Sequence, residues 1–318
     1  MTFMKNSVRV LKEQAIFVVL IILFIFFSCA SSDFLTASNL LNIARQVSIL
    51  GIASVGMTYV ILIGGIDLST GSIITFVNII TAYFMVNMKI DLWLAILISL
   101  IISTAIGFLN GFMVANFNMP ALIVTFATQI IFEGLAYIIS GGMPIFGFSE
   151  TFTQIGQGYL GPIPIPIIIM AVVFAIGAFI LNKTYFGRYF YALGGNETAS
   201  QLSGIRVRKV KYLIYSLSGF FAGVAGIVML ARTNSGQPTA GKGYEFKVIT
   251  DVVLGGVSVA GGSGRLSGVI AGVLIMGVLE NGMVLLNISS YVQMVVEGII
   301  LAFAVGFDCV QKKGLLKV

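Results

Sequence analysis

Histidine is absent from this 318-residue chain, and its two cysteines, Cys29 and Cys309, lie near opposite ends. Without imidazole there is no histidine general base, histidine metal ligand or histidine proton relay. Two isolated thiols give neither a disulfide framework nor a metal-ligand spacing. Charge is scarce as well: Asp, Glu, Lys and Arg make up 9% of the residues, against about 25% in a soluble domain. So few charges do not cover the surface of a soluble globule. Proline is rare too, and six prolines beside 37 glycines fit neither a collagen-like chain nor a proline-rich linker.

What fills the chain is apolar. Hydrophobic residues reach 58% and the mean hydropathy is +1.04, which excludes disorder and leaves an integral membrane protein. Only helices and closed barrels span lipid, because only they satisfy their own backbone hydrogen bonds. The charge-free runs 14–32, 46–66, 68–88 and 92–132 are long enough for helices, and none alternates apolar with polar as a barrel strand would. The fold expected is therefore all-α: a polytopic helical bundle forming one transmembrane domain over 1–318. About ten spans are expected, near 14–31, 46–66, 71–87, 92–116, 120–140, 163–182, 212–231, 246–260, 266–286 and 290–308. The first carries no small-residue cleavage site and reads as a retained helix. Pro120 marks the start of the fifth.

With the N-terminus inside, only Arg45, Lys89, Arg232, Lys242 and Lys247 of the 18 basic residues fall in external segments. This positive-inside bias places both termini in the cytoplasm. The net charge of +6 thus reflects topology and lipid headgroups, and no basic, aromatic-interleaved face points to nucleic acid. The longest hydrophilic stretch, 183–211, is cytoplasmic on this reading. Within it Asn196–Ser203 reads as a short helix, with Asn196 as N-cap, Glu197 in the first turn and Gly204 at the C-cap.

Two glycine-rich segments echo each other, GGIDLSTGS at 64–72 and GGVSVAGGSG at 255–264. They read either as marks of two structural repeats, as in many transporters, or as two glycine-rich connections. The G-x-x-x-G pairs Gly107/Gly111, Gly219/Gly223 and Gly268/Gly272 read as close packing within the chain rather than as a dimer face. Glu133, Asp251, Glu280 and Glu297 fall in or near spans, Asp67 ends the second and Arg232 closes the seventh. Ionisable groups there are functional candidates by default, with structural pairing and helix-end exposure as the competing readings. Asp67 follows a Gly-Gly break, where a carboxylate can lock the turn or cap the next helix. The one Gly-Lys pair, Gly241-Lys242, lacks the glycine spacing of a phosphate-holding loop, and no nucleophile elbow or zinc-protease motif occurs. The chain is therefore expected not to be an enzyme, and any ATP-driven step belongs to another subunit.

The run 56–72, GMTYVILIGGIDLSTGS, resembles the signature of bacterial ABC-transporter permeases for monosaccharides, the ribose-permease-like family. So do YFGRYFYALGGNETASQLSGI at 185–205, the stretch 231–268 and NGMVLLNISSYVQMVVEGIILAFAV at 281–305. The resemblance implies a multi-pass permease of the bacterial inner membrane that imports a monosaccharide, ribose or a related pentose, by alternating access. It implies a second permease subunit, identical or different, two ATP-binding subunits that hold ATP and Mg2+, and an extracytoplasmic sugar-binding protein. It makes the segment Asn196, Glu197, Thr198, Ala199, Ser200, Gln201, Leu202, Ser203 and Gly204 the coupling helix that rests on an ATPase. Glu133 stands where the family usually places Arg, and Glu297 where a neutral or basic residue is common. Relatives carrying nucleosides or a furanose signal remain open, as does the sugar itself.

Sugar recognition joins aromatic faces to polar groups. Asp67, Asn78, Tyr83, Thr125, Gln129, Glu133, Tyr137, Asn281 and Gln293 are the candidates for a translocation pathway, with helix packing as the alternative for each. The rival functions are an ion-coupled secondary transporter acting alone and a non-transporting membrane scaffold or receptor.

Overall fold

A computed structural model describes residues 2–312, with side chains from Ile16 to Val310. The elements run α1 (Thr2–Ala30), α2 (Ala37–Leu62), α3 (Thr70–Val86), α4 (Leu92–Asn116), α5 (Ala121–Ser140), α6 (Glu150–Gln157), β1 (Tyr159–Leu160), β2 (Ile163–Pro164) and α7 (Ile165–Lys183). There follow α8 (Tyr185–Gly195), α9 (Glu197–Leu202), α10 (Val207–Thr233), α11 (Tyr244–Leu254), α12 (Leu266–Leu285) and α13 (Ser290–Lys312). The two short strands form one antiparallel hairpin. Seven helices (α2, α4, α5, α7, α10, α12 and α13) are long and apolar enough to cross a membrane, so the chain is an all-α polytopic protein. The side chains of Lys5, Arg9, Lys12 and Lys312, and residues Lys313 and Lys317, lie outside the described residues.

Helix starts follow local chemistry. The Thr36 hydroxyl accepts from the Asn39 N–H ahead of α2, and Asp91 accepts from the Trp93 and Leu94 N–H groups at the start of α4. As expected from sequence, Pro120 precedes α5, which ends on Gly141 in the left-handed region at φ 62°.

The bundle encloses α2 between α7, α10, α11 and α12, while α10 also packs on α3 and α4. A Cβ added at Gly107 of α4 would sit 2.1 Å from the Tyr215 carbonyl of α10, and one at Gly219 would sit 2.3 Å from the Ser103 carbonyl. The same holds between α12 and α11, where Gly272 and Gly268 each lie against a backbone oxygen, of Asp251 and Gly255. All three G-x-x-x-G pairs thus serve packing within the chain. The outer faces of α4, α5 and α13 carry Leu97, Ile101, Ile123, Ile130, Met294 and Phe303 on exposed surface, suited to lipid or to another membrane helix.

One expected span takes a different form. Over 246–260 only α11 is helical, and its eleven residues are too short to cross a membrane as a helix. Gly256 adopts φ 83° and the backbone then runs without helix to Arg265. The first glycine-rich segment interrupts the bundle in the same way over 63–69, between α2 and α3.

Candidate functional site

The two interruptions meet. Gly262 N–H donates to the Leu62 carbonyl at 2.8 Å, joining the end of α2 to the second break. Gly194, at the end of α8, fits against the same junction: a Cβ there would lie 1.8 Å from the Leu62 oxygen. Unpaired backbone is costly away from water, and here it is shielded and partly paired inside protein.

Asp67 forms the centre of the first break. Its Oδ1 accepts from the Ser69 N–H at 3.0 Å and the Ser69 hydroxyl at 2.5 Å, and its Oδ2 accepts from Ser218 of α10 at 2.8 Å. Ser69 Oγ accepts from Asn110 of α4 at 2.9 Å, and Asn110 Oδ1 accepts from Thr128 of α5 at 2.6 Å. Thr125 joins the same knot by accepting from the Leu68 N–H and donating to the Ile66 carbonyl, each at 3.1 Å. Asp67, Ser69, Asn110 and Thr125 are fully buried. The arrangement ties three helices, α4, α5 and α10, to the loop between α2 and α3, and these side chains are closed to solvent.

A second polar group lies on α11. The Gln129 amide of α5 donates to Glu245 Oε1 at 3.0 Å, and Glu245 packs beside Gly71 at the start of α3. Glu133 lies one turn along α5 from Gln129, half-buried, and Phe246 and Tyr137 are exposed nearby on α11 and α5. The loop before α11 reaches down α3: Asn78 Oδ1 accepts from the Gln237 N–H at 2.8 Å and Thr75 Oγ1 accepts from the Gly241 N–H at 2.9 Å. Two turns of chain thus fold back among helices rather than staying outside them.

Lys247 is not an external-loop charge, as its sequence position suggests. It lies within α11, its ammonium 2.6 Å from Glu280 of α12 and 3.4 Å from Glu297 of α13. Asp251, one turn further on α11, is fully buried and 3.4 Å from the Ser54 hydroxyl of α2. The expected in-span acids therefore divide: Asp251, Glu280 and Glu297 form one charged cluster with Lys247, whereas Glu133 stands apart. The signal for Lys247 was its spacing of four from Asp251, which puts both on one helical face.

The remaining pathway candidates scatter. Asn281 and Asn39 exchange hydrogen bonds of 2.8 and 2.9 Å between α12 and α2. The Gln293 amide turns back to the Ile288 carbonyl at 2.8 Å. Tyr83 is half-buried in the last turn of α3.

The short helix α9 packs on α8 and α10 and is exposed over most of its length. Asn196 Oδ1 accepts from the Ala199 N–H at 2.9 Å, as the sequence indicated, while the C-cap is Ser203, one residue before the expected Gly204, which follows at φ 86°. A six-residue helix does not hold itself together in water. Here Lys211 of α10 pairs with Glu197 at 2.7 Å and Ser200 is buried, while Leu202 is 85% exposed. Thr198, Ala199 and Gln201 are exposed beside it.

The family described as the branched-chain amino acid transport system permease component matches residues 39–305. The chain belongs to this permease family. It is 45% identical to the ribose import permease protein of Haemophilus influenzae, with 94% of each chain covered. It is 44% identical to the Bacillus subtilis ribose import permease protein, over 94% of this chain and 93% of the relative. It is 40% identical to the L-arabinose transport system permease protein of Escherichia coli, over 96% of this chain and 93% of the relative. No solved structure matches it. The matched span holds both breaks, the Lys247 cluster and α9, so the polar groups described above belong to the permease proper.

Proposed function

We propose that this chain is the membrane-spanning permease subunit of an ATP-driven importer for ribose or a related pentose in the bacterial cytoplasmic membrane. The likeness to ribose import permeases along nearly the whole of both chains carries this reading. The bundle crosses the membrane ten times: by the seven long helices, by α1 and α3, and by α11 extended through the 255–265 segment. Both termini are cytoplasmic. Then α9 lies in the cytoplasm and acts as the coupling helix, with Leu202 and its neighbours from Asn196 to Gly204 seated on an ATP-hydrolysing subunit that holds ATP and Mg2+. A second permease subunit and an extracytoplasmic sugar-binding protein complete the importer.

The pathway runs along the α5 and α11 face. There Gln129, Glu133 and Glu245 lie with Tyr137 and Phe246, a pairing of polar groups and aromatic surface suited to a sugar. Asp67, Thr125, Asn78 and Asn281 support this face from within rather than touching the solute. The buried hydrogen bonds of those four residues support this division of labour.

The test is co-reconstitution of the chain with an ATP-hydrolysing subunit and a sugar-binding protein in vesicles. Uptake of labelled ribose that needs ATP and all three components is the expected result. Uptake by this chain alone under a proton gradient would replace the reading with an ion-coupled secondary transporter.

A further inference from the structure

Helix α8 runs into α9 with no loop between them: Asn196 ends the first and caps the second. Three contacts seat α8 in the bundle. Phe190, fully buried, packs on Tyr59 of α2 with ring centroids 5.3 Å apart. The Tyr191 hydroxyl donates to the Gly264 carbonyl at 2.9 Å. Gly194, in the last turn, lies where the end of α2 meets the second break, and an added Cβ would overlap both the Leu62 carbonyl and the Gly262 nitrogen. Those two groups are the acceptor and the donor of the 2.8 Å bond that joins the breaks. Gly194 itself does not take a positive φ, so glycine is needed there for space and not for its dihedral freedom.

Such a contact is stiff. A side chain can absorb a shift by changing rotamer, whereas backbone resting on backbone passes the shift on, because packed protein compresses little. What receives the shift is the segment best able to yield: Gly256, Gly261, Gly262 and Gly264 of the second break all take positive φ. Hinges are a few residues at element ends that absorb such changes in φ and ψ. The break continues on one side into α11, which carries Glu245 and Lys247, and on the other into α12. Structure is therefore continuous from α9, through α8 and the break, to the α5–α11 face.

We propose that Gly194 is the joint through which movement of α9 reaches the second glycine break, so that the ATP-driven stroke is delivered to α11 and the solute face. This rests on α9 being the coupling helix. Gly194 is a positioning residue and acts through its neighbours. A shift of α9 presses the end of α8 on the Leu62–Gly262 bond, and the dihedrals of 256–264 turn in response. Tyr191 holds α8 in register with the break through Gly264, and α2, walled in by its neighbours, gives the joint a fixed side.

The test uses the full chain assembled in vesicles with the ATP-hydrolysing subunit and the sugar-binding protein. It reads ribose moved per ATP hydrolysed, and hydrogen exchange with and without ATP and vanadate. In the wild type the ATP-hydrolysing subunit should protect the amides of 197–203, and nucleotide should change exchange across 256–264. Gly194→Ala should lower the ribose moved per ATP by about fivefold or more while hydrolysis continues. It should also abolish the response of 256–264 and keep the protection of 197–203. Gly195→Ala, whose added methyl meets open space, should change neither reading. Tyr191→Phe removes only the hydroxyl and should reduce both the yield and the response; it decides the matter if Gly194→Ala does not insert. Protection of 197–203 with a wild-type break indifferent to nucleotide would overturn the joint alone, as would a normal yield and response in Gly194→Ala and Tyr191→Phe. A wild-type α9 left unprotected by the ATP-hydrolysing subunit would remove the coupling-helix reading, and the joint with it.

Discussion

The segments 63–69 and 255–265 interrupt the bundle at comparable places, yet they are held by different means. The first is held by side chains: Asp67 collects three hydrogen bonds and, through Ser69, reaches Asn110 and Thr128, all of it buried. The second is made of glycine. Gly256, Gly261, Gly262 and Gly264 all take positive φ, and the segment alternates buried residues such as Val257 and Gly261 with exposed ones such as Ala260 and Ser263. Its main side-chain tie is Asp308 of α13, half-buried, which accepts from the Ser258 hydroxyl at 2.8 Å and the Val259 N–H at 3.0 Å. We expect the break locked by a buried carboxylate to act as the fixed point, and the glycine break, tied by the half-buried Asp308, the Tyr191 hydroxyl and the Leu62 carbonyl, to act as the hinge. Glycine's freedom costs entropy on ordering, so such a segment is stable only while its neighbours hold it.

The comparison breaks most sharply at Asp67. Asp67→Leu should cost about 3–5 kcal/mol, because it strands the buried donors of Ser69 and Ser218. Loss of inserted protein from membranes and a lower unfolding midpoint in detergent would show it. Gly272→Ala comes next, at about 1–3 kcal/mol, since the added methyl must push α12 off the Asp251 carbonyl of α11; the same unfolding measurement reads it. Asp308→Leu should cost less than Asp67→Leu, about 1–2 kcal/mol. If the two carboxylate variants were equally unstable, the distinction between fixed point and hinge would fall. Hydrogen exchange sharpens the same contrast without mutation, with the amides of 255–264 expected to exchange faster than those of 65–69. The smallest effect on stability belongs to Leu202→Asp on α9, within about 0.5 kcal/mol. Its expected signature is ATP hydrolysis without sugar uptake, and sugar-stimulated uptake at the normal rate would remove α9 from the coupling role.

Much of this was legible in the sequence where one residue decides one local outcome. Asn196 before Glu197 foretold the cap of α9, Pro120 foretold the start of α5, and the three glycine pairs foretold close packing. Asp67 after Gly64-Gly65 pointed to a turn lock, which the Ser69 hydrogen bonds supply. Other features were hidden because they depend on partners far along the chain. Nothing local to Lys247 announces Glu280 and Glu297, and nothing local to Asn281 announces Asn39 opposite it. The run 246–260 is apolar enough to suggest a span, but its glycines terminate the helix after eleven residues. Hydropathy measures where a segment prefers to reside and is blind to whether its backbone stays helical there.

The enclosure of α2 bears on how the protein is made. Of the seven long spans α2 is the least apolar, and 89% of its most apolar window is buried. It leaves the ribosome early, carrying Ser48, Ser54 and Thr58 into lipid. The helices that finally wall it in (α7, α10, α11 and α12) begin at Ile165, about a hundred residues later. Each must insert before α2 has a protein environment on every side. A nascent chain that stops short of α10 therefore holds an inserted α2 with an unfinished wall, so damage to the second half of the molecule is felt first near its beginning.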